Sequence, residues 1–364
     1  MYKSQFKKVI YITIAWTIVS LFNFLIGLAA VVDANYIWDA NYDIGKIDFR
    51  HGFYVSALSG IFAGIVGGTA VIFFWERWLR TKSYGWTLRS IFISYIFIFN
   101  IVSIPTILFN NSYNRDFGMF SAMAWSEVEQ AYKSPSLLVP FFFWLIIVLM
   151  TFIVFQVNDK YGPGVFGKFL LGKYFNPTRE ERVFMFLDLR SSTAIAEKLG
   201  EANYFNFLKE VFQVVTPAIL KNKGEIYQYV GDEMVISWKK ESGIRDNHCI
   251  NAFFDAQSLL NDRRSYFEST YEVKPEFKAG LHYGYVMAGE IGVIKREIAY
   301  SGDVLNTAAR IQSKCNEHGV NILISDELLQ LLNINHLNTK SLGQIDLRGK
   351  ADSVQLYSIL RVPN

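Results

Sequence analysis

The sequence predicts two architectures in series: an all-α bundle of four membrane-spanning helices over residues 1–157, and an α+β domain over residues 182–364, with a connector at 158–181. Three observations carry this. Hydrophobic residues make up 51% of the chain, and nearly all of that excess lies before residue 158, while the charged residues crowd into the second half. Four long stretches of the first half contain no charge at all. Beyond Arg182 the pattern changes to short strand-like runs that alternate with helical spacing.

The uncharged stretches are Val9–Val32, Gly52–Trp75, Ile91–Phe109 and Leu137–Val157, each 19 to 24 residues long. A helix rises about 1.5 Å per residue and the hydrocarbon core is about 30 Å thick, so each can cross it. The first is longer than the apolar region of a signal peptide, typically about 7–15 residues. Basic residues set the expected orientation. Lys3, Lys7 and Lys8 precede the first span, Arg77, Arg80, Lys82 and Arg89 lie between the second and third, and Lys160, Lys168 and Lys173 follow the fourth. The opposite loops hold only Lys46, Arg50, Arg115 and Lys133. The expectation is a multi-pass protein of the cell membrane, embedded in lipid, with both termini in the cytoplasm.

Gly60, Gly64 and Gly68 recur every four residues on one face of the second span, where small side chains let helices approach closely. Packing within the bundle is the simpler reading, and a dimer seam is the other. Asp33, Asp39, Asp43 and Asp48 read as a solvated loop rather than a cation site, and His51 as an interfacial residue. No histidine lies inside a span, so nothing points to haem, and the spans lack the charges of a transporter. In the connector, Gly162, Pro163 and Gly164 break the fourth span, and Val165–Tyr174 has the pattern of a short amphipathic helix. A net charge of +3 is too small to imply nucleic acid. Cys249 and Cys315 suggest neither a disulfide nor a metal cluster, which fits a reducing compartment.

In the second half, Val183–Asp188 is a short apolar run that ends in a carboxylate and reads as a buried strand. Thr193–Leu199 and Tyr204–Leu220 are helical. Glu225–Val230 and Glu233–Trp238 are strands joined tightly at Gly231-Asp232, a hairpin signal. Asp246–Leu260 is helical, Glu276–Ala288 and Ile298–Tyr300 are strand-like, and Asp303–Glu317 is a helix. This β-α-α-β-β-α-β order predicts a ferredoxin-like core with additions. Within it Asp188 closes the first strand and Asp232 tops the neighbouring hairpin, so both carboxylates can meet at one point. Magnesium is usually held by one or two carboxylates together with substrate phosphates. The tract Ser191-Ser192-Thr193 opens a helix whose free backbone N–H groups suit a triphosphate.

The segments FMFLDLRSST (184–193), YQYVGDEMVISW (227–238), FKAGLHYGYVMAGEIG (277–292), YSGDVLNTAARIQ (300–312) and LRGK (347–350) resemble, in order, the motifs of class III adenylate and guanylate cyclases. The resemblance runs from Arg182 to the C-terminus, and Asn306 with Arg310 is its most diagnostic part. It implies a homodimer with active sites at the interface, each using two magnesium (or manganese) ions held by Asp188, Leu189 and Asp232. Asn306 and Arg310 of the partner subunit would orient the ribose and neutralise charge at the α-phosphate. Ser191, Ser192, Thr193, Arg348 and Lys350 would bind the substrate's phosphates. Gln228 and Ala299 occupy the base-reading positions, where adenylate cyclases commonly carry lysine with aspartate or threonine, and guanylate cyclases glutamate with cysteine. The implied activity is conversion of ATP to cyclic AMP and pyrophosphate, under an unidentified membrane or extracellular stimulus. A guanylate or pyrimidine nucleotide cyclase stays open because Gln228 can donate and accept alike. A non-catalytic membrane signalling module is the alternative from another class. Diguanylate cyclases also carry a Gly-Asp-Glu hairpin, but Asn306, Arg310 and LRGK have no place in that family.

Overall fold

The computed structural model describes residues 2–38, 48–75, 78, 83–113, 118–161, 172–294, 296–333, 337–346 and 353–361. Arg348, Lys350, Asp39, Asp43 and residues 162–171 of the connector, which hold most of the expected Val165–Tyr174 helix, lie outside the described residues. The chain divides into two compact units, Met1–Gln156 and Val157–Asn364.

The first unit contains α1 (Tyr2–Trp38), α2 (Phe49–Thr69), which continues as a π-helical segment (Ala70–Trp75), α3 (Tyr84–Tyr113), α4 (Ala122–Lys133) and α5 (Leu138–Tyr161). Four candidate spans follow, Gln5–Asp33, Phe49–Trp75, Gly85–Asn110 and Pro135–Val157, each containing an uncharged stretch read from the sequence. The amphipathic α4 falls between the third and fourth and was not foreseen. Gly60 and Gly64 pack on α1: a Cβ at Gly64 would lie 2.5 Å from the Cα of Thr13, and one at Gly60 2.8 Å from the Cα of Thr17. The glycine stripe therefore serves packing within the chain. Asp48 is the N-cap of α2, accepting from the His51 amide at 3.0 Å. His51 is buried at the start of the second span, with its imidazole 3.1 Å from Oδ1 of Asn110 at the end of the third.

The second unit carries β1 (Thr178–Leu189), α6 (Ser192–Leu199), α7 (Glu201–Lys221), β2 (Glu225–Val230), β3 (Glu233–Lys239), α8 (Lys240–Ile244), α9 (His248–Asp262) and α10 (Arg264–Tyr271). These are followed by β4 (Phe277–Ile291), β5 (Glu297–Ser301), α11 (Asp303–Glu317), β6 (Ile322–Ser325), α12 (Asp326–Leu329), β7 (Leu337–Ile345) and β8 (Val354–Arg361). The sheet order is β2-β3-β1-β4-β6-β8-β7, with β5 on β4. Its first four strands are the expected antiparallel core. The strand expected at Val183 begins earlier, at Thr178, because polar residues 178–182 pair with β4 up to Ala288.

Alternation along β1 builds two cores. Val183, Met185, Leu187 and Leu189 face Phe207, Val211 and Val215 of α7 and Phe253 of α9. Phe184 faces the other way, with Val286, Val304 and Ala308, beneath α11. Asp188 shares the parity of Phe184 and so belongs to the α11 side. The approach of α11 depends on Gly280 of β4, where a Cβ would lie 2.1 Å from the Gln312 amide nitrogen and 2.5 Å from the Ala308 carbonyl oxygen.

Candidate active site

The end of β1 is a meeting point of carboxylates. In register, Asp188 sits between Glu233 on β3 and Lys278 on β4. Its Oδ2 accepts from Lys278 Nζ at 3.0 Å and from Gln312 Nε2 at 2.6 Å. Asp232 occupies the tight turn between β2 and β3, made possible by Gly231 at φ +62°. Burial raises the Asp188 carboxyl above its usual range, the adjoining Asp232 adds to this, and Lys278 opposes it. Glu233 is pushed up to about 7, first by burial and then by Asp188 and Asp232. The Tyr204 phenol is likewise raised, by burial and by the same two aspartates. Too much negative charge for one buried corner is the signature of a place built for cations.

No group of three or more His, Cys, Asp or Glu side chains is arranged to hold a metal among the described residues. The two aspartates fit a divalent ion only if substrate oxygens complete its shell. Leu189 has its side chain in the core, so only its backbone carbonyl is available as a ligand. Ser191 adopts the left-handed conformation, φ +56°, as N-cap of α6, without a capping bond from its own side chain. That leaves the first amides of α6 open beside the carboxylates. Arg190 fixes this loop: it donates through Nε to Asn321 Oδ1 at 2.9 Å and through Nη2 to the Val320 carbonyl at 2.5 Å.

Gln228 is exposed on β2, and Ala299 lies half-buried on β5. Their sequence neighbours Tyr227 and Tyr300 meet with ring centroids 5.0 Å apart, which brings β2 and β5, the strands expected to read the base, together. Behind Tyr300 lies Arg182, fully buried, its guanidinium 4.5 Å from the ring centroid. Arg182 donates to Glu180 at 2.8 Å, and its Nη1 to Glu225 and to Ser237, both at 2.9 Å. Burial pushes the Glu180 carboxyl up, but Arg182 outweighs it and leaves the group below its usual range.

Asn306 and Arg310 share one face of α11, and it is not the face that meets Asp188. At about 100° per residue they lie roughly 120–160° around the helix from Gln312. The sheet-facing residues are Val304, Thr307, Ala308, Ile311, Gln312 and Cys315, whereas Asn306 is exposed. Neither side chain makes a hydrogen bond or ion pair among the described residues.

Residues 176–361 match the family model described as the adenylate and guanylate cyclase catalytic domain. The chain belongs to this cyclase family. The chain is 34% identical over 207 residues to adenylate cyclase 2 of Rhizobium meliloti (strain 1021), a match covering 57% of each protein. An adenylate cyclase of Anabaena cylindrica is 26% identical over 182 residues, covering 48% of this chain and 36% of that one. The chain thus spans little more than half of the first relative and less of the second. Among solved structures, a bacterial light-regulated adenylyl cyclase superposes with a TM-score of 0.51 at 21% identity, over 58% of this chain and 63% of that one, a likeness of fold. Cyclases of this family generally use divalent metals.

Lys278, Gln312, Glu233 and Tyr204 were not singled out as site residues from the sequence. Lys278 carried a signal, being the one charge in the apolar run FKAGL. Arg182 did not, since only the pairing of strands shows that it is buried.

Proposed function

We propose that the chain is a membrane-anchored adenylate cyclase acting as a homodimer, with N- and C-termini in the cytoplasm. The observation that carries the reading is a divergence. The chain possesses both halves of a cyclase site, yet its fold turns Asn306 and Arg310 away from Asp188 and Asp232. A second copy placed head to tail can bring one chain's pair to the other's carboxylates. Apolar residues at the outer end of β4 and the turn beyond it, Ile291, Val293 and Ile294, are exposed and suit such a contact.

ATP enters with its triphosphate toward the amides of α6 and its ribose toward the aspartates. Asp188 and Asp232 would hold two magnesium or manganese ions, which supply the charge that acidifies the ribose 3′-hydroxyl and neutralises the triphosphate. The 3′-hydroxyl loses its proton, its oxygen forms a bond to the α-phosphorus, and the bond to the β-phosphate oxygen breaks to release pyrophosphate. Asn306 of the partner chain orients the ribose, and its Arg310 offsets charge growing on the α-phosphate. Such sites act mainly by positioning and charge stabilisation. Arg348 and Lys350 are assigned to the phosphates by their place in the motif. ATP is supported by the names of the bacterial relatives rather than by Gln228 and Ala299. The full chain in lipid, incubated in turn with each of the four nucleoside triphosphates and magnesium or manganese, should yield cyclic AMP and pyrophosphate from ATP. Cyclic GMP or a cyclic pyrimidine nucleotide as the main product would overturn the substrate, and no product from any of the four would overturn the enzyme.

A further inference from the structure

The helical bundle contains a cavity of about 190 Å³ lined by residues of α1, α2 with its π segment, α3 and α5. An apolar cavity of about 150 Å³ stays dry in water and takes up benzene. No charged side chain lines this one, and its polar side chains other than the Trp144 indole are already engaged. Trp16 donates its indole N–H to Thr151 at 3.0 Å, Trp75 to Ser94 at 2.9 Å, and Tyr95 its hydroxyl to the Phe141 carbonyl at 2.6 Å. Ser103 is paired with Tyr132 at 2.9 Å, and Thr106 donates to the Val102 carbonyl at 2.8 Å. What the walls offer is therefore the faces and edges of aromatic rings. Trp16 and Trp144 lie 5.8 Å apart and tilted, and Tyr95 and Phe99 6.0 Å apart and tilted.

Two helix features border this space. The π-helical segment Ala70–Trp75 contributes Trp75 to the wall, and Pro105 lies within α3 between the lining residues Ser103 and Thr106. Wide turns of this kind occur often at functional sites, and proline is a common cause of a local opening in a helix. A bundle selected only for anchoring has no need of either beside a void.

We infer that the cavity is a binding site for an uncharged, flat ring compound, between benzene and naphthalene in size, that reaches it from the bilayer. A charged molecule would find no opposite charge there, and a strongly hydrogen-bonding one would find only the Trp144 indole N–H. A flat ring can make the offset and edge-to-face contacts that the walls present. The site lies wholly in the bundle and does not depend on the cyclase reading.

The test uses the full chain in lipid nanodiscs with 1-bromonaphthalene, which quenches tryptophan fluorescence on contact. Quenching should saturate and should be reversed by naphthalene. Ala63→Leu and Val148→Phe, which fill the cavity, should each weaken apparent affinity at least tenfold, while Leu25→Phe on the exposed face of α1 leaves it unchanged. Phe99→Leu enlarges the space and should shift preference toward a three-ring bromoarene, which keeps the test decisive if a filling variant fails to fold. Quenching that rises in proportion to probe in the membrane, indifferent to all three cavity variants, would overturn the site. So would a lipid with a brominated acyl chain that quenches to the same limit and blocks the probe, since the occupant would then be the lipid itself.

Discussion

At the scale of single residues, the cyclase domain stores its electrostatic conflict at one end of β1. Glu233 shows it best, raised to about 7 by burial and by its two aspartate neighbours. A carboxyl raised on folding contributes stability that is present in full below its ordinary value of 4.5 and lost as the pH climbs toward 7. Without divalent ions the melting temperature of the cyclase domain should therefore fall between those two pH values, and Glu233→Gln should flatten that slope. Melting curves in a chelator at several pH values decide it; an unchanged slope in the variant would mean that Glu233 titrates normally. Base choice is a second matter for individual residues. Ala299 cannot form a side-chain hydrogen bond, and a pocket that leaves no polar group unpaired against the wrong base rejects it only modestly. Gln228→Lys with Ala299→Asp should raise the ratio of kcat/KM for ATP over GTP by about tenfold or more. An unaltered ratio would remove these positions from base recognition. The aspartates, the Asn–Arg pair and the base positions could be proposed from the sequence, because each sits in a short contiguous motif. Lys278, which offsets the charge of Asp188, and Gln312, which donates a hydrogen bond to it, reach it from a neighbouring strand and a helix, and only the fold reveals them.

At the scale of elements, the long periodic pieces were readable and the sheet's second half was not. The helix Asp303–Glu317 has the limits that its periodicity suggests, and the hairpin at Gly231-Asp232 those of its turn residues. Strands β6, β7 and β8 escaped notice: β6 has only four residues, and alternation in β7 is broken at its bulge between Ser341 and Gly343. The π-helical segment has no sequence signal, since Ala70–Trp75 reads as an ordinary apolar turn. The element on which the site most depends is α11, and Gly280 sets its distance from the sheet. Gly280→Ala puts a methyl group where only hydrogen fits, so the helix backbone must move, carrying Gln312 off Asp188. Overpacking of this kind typically costs about 1–3 kcal/mol. The variant should lose that much stability in denaturant titration and most of its turnover. Gly289→Ala is the control, because its Cβ would meet Pro177 at an ordinary 3.4 Å. If Gly280→Ala melts and turns over like the parent chain, the close approach of α11 is not what positions the site.

For the whole molecule, two relations decide the mechanism: which side of the membrane each loop faces, and which chain supplies each half of a site. The two native cysteines are buried, so an impermeant thiol reagent should report introduced ones alone. Applied from outside, it should label Asp39→Cys and Asn111→Cys but neither Lys3→Cys nor Gly85→Cys; the reverse pattern would put the catalytic half away from cytosolic ATP. The proposed division of labour between chains rests on α11, whose outer face holds Asn306 and Arg310 while its inner face reaches Asp188. If the halves meet only across a dimer, a homodimer of Asp188→Asn or of Arg310→Ala has two defective sites and should be near zero, through loss of a metal ligand or of the cationic clamp. Co-expressing the two variants changes the arithmetic. In each mixed dimer one site collects both lesions, and the other receives an intact Asp188 from one chain and an intact Arg310 from its partner. With random assortment about half the dimers are mixed and each has one working site, so activity should recover to roughly a quarter of the parent enzyme. Co-expression is required because assembled bundles in lipid need not exchange partners. A chain that completed its own site would show no such recovery, and mixed dimers captured by differential tags yet inactive would place both residues in one subunit.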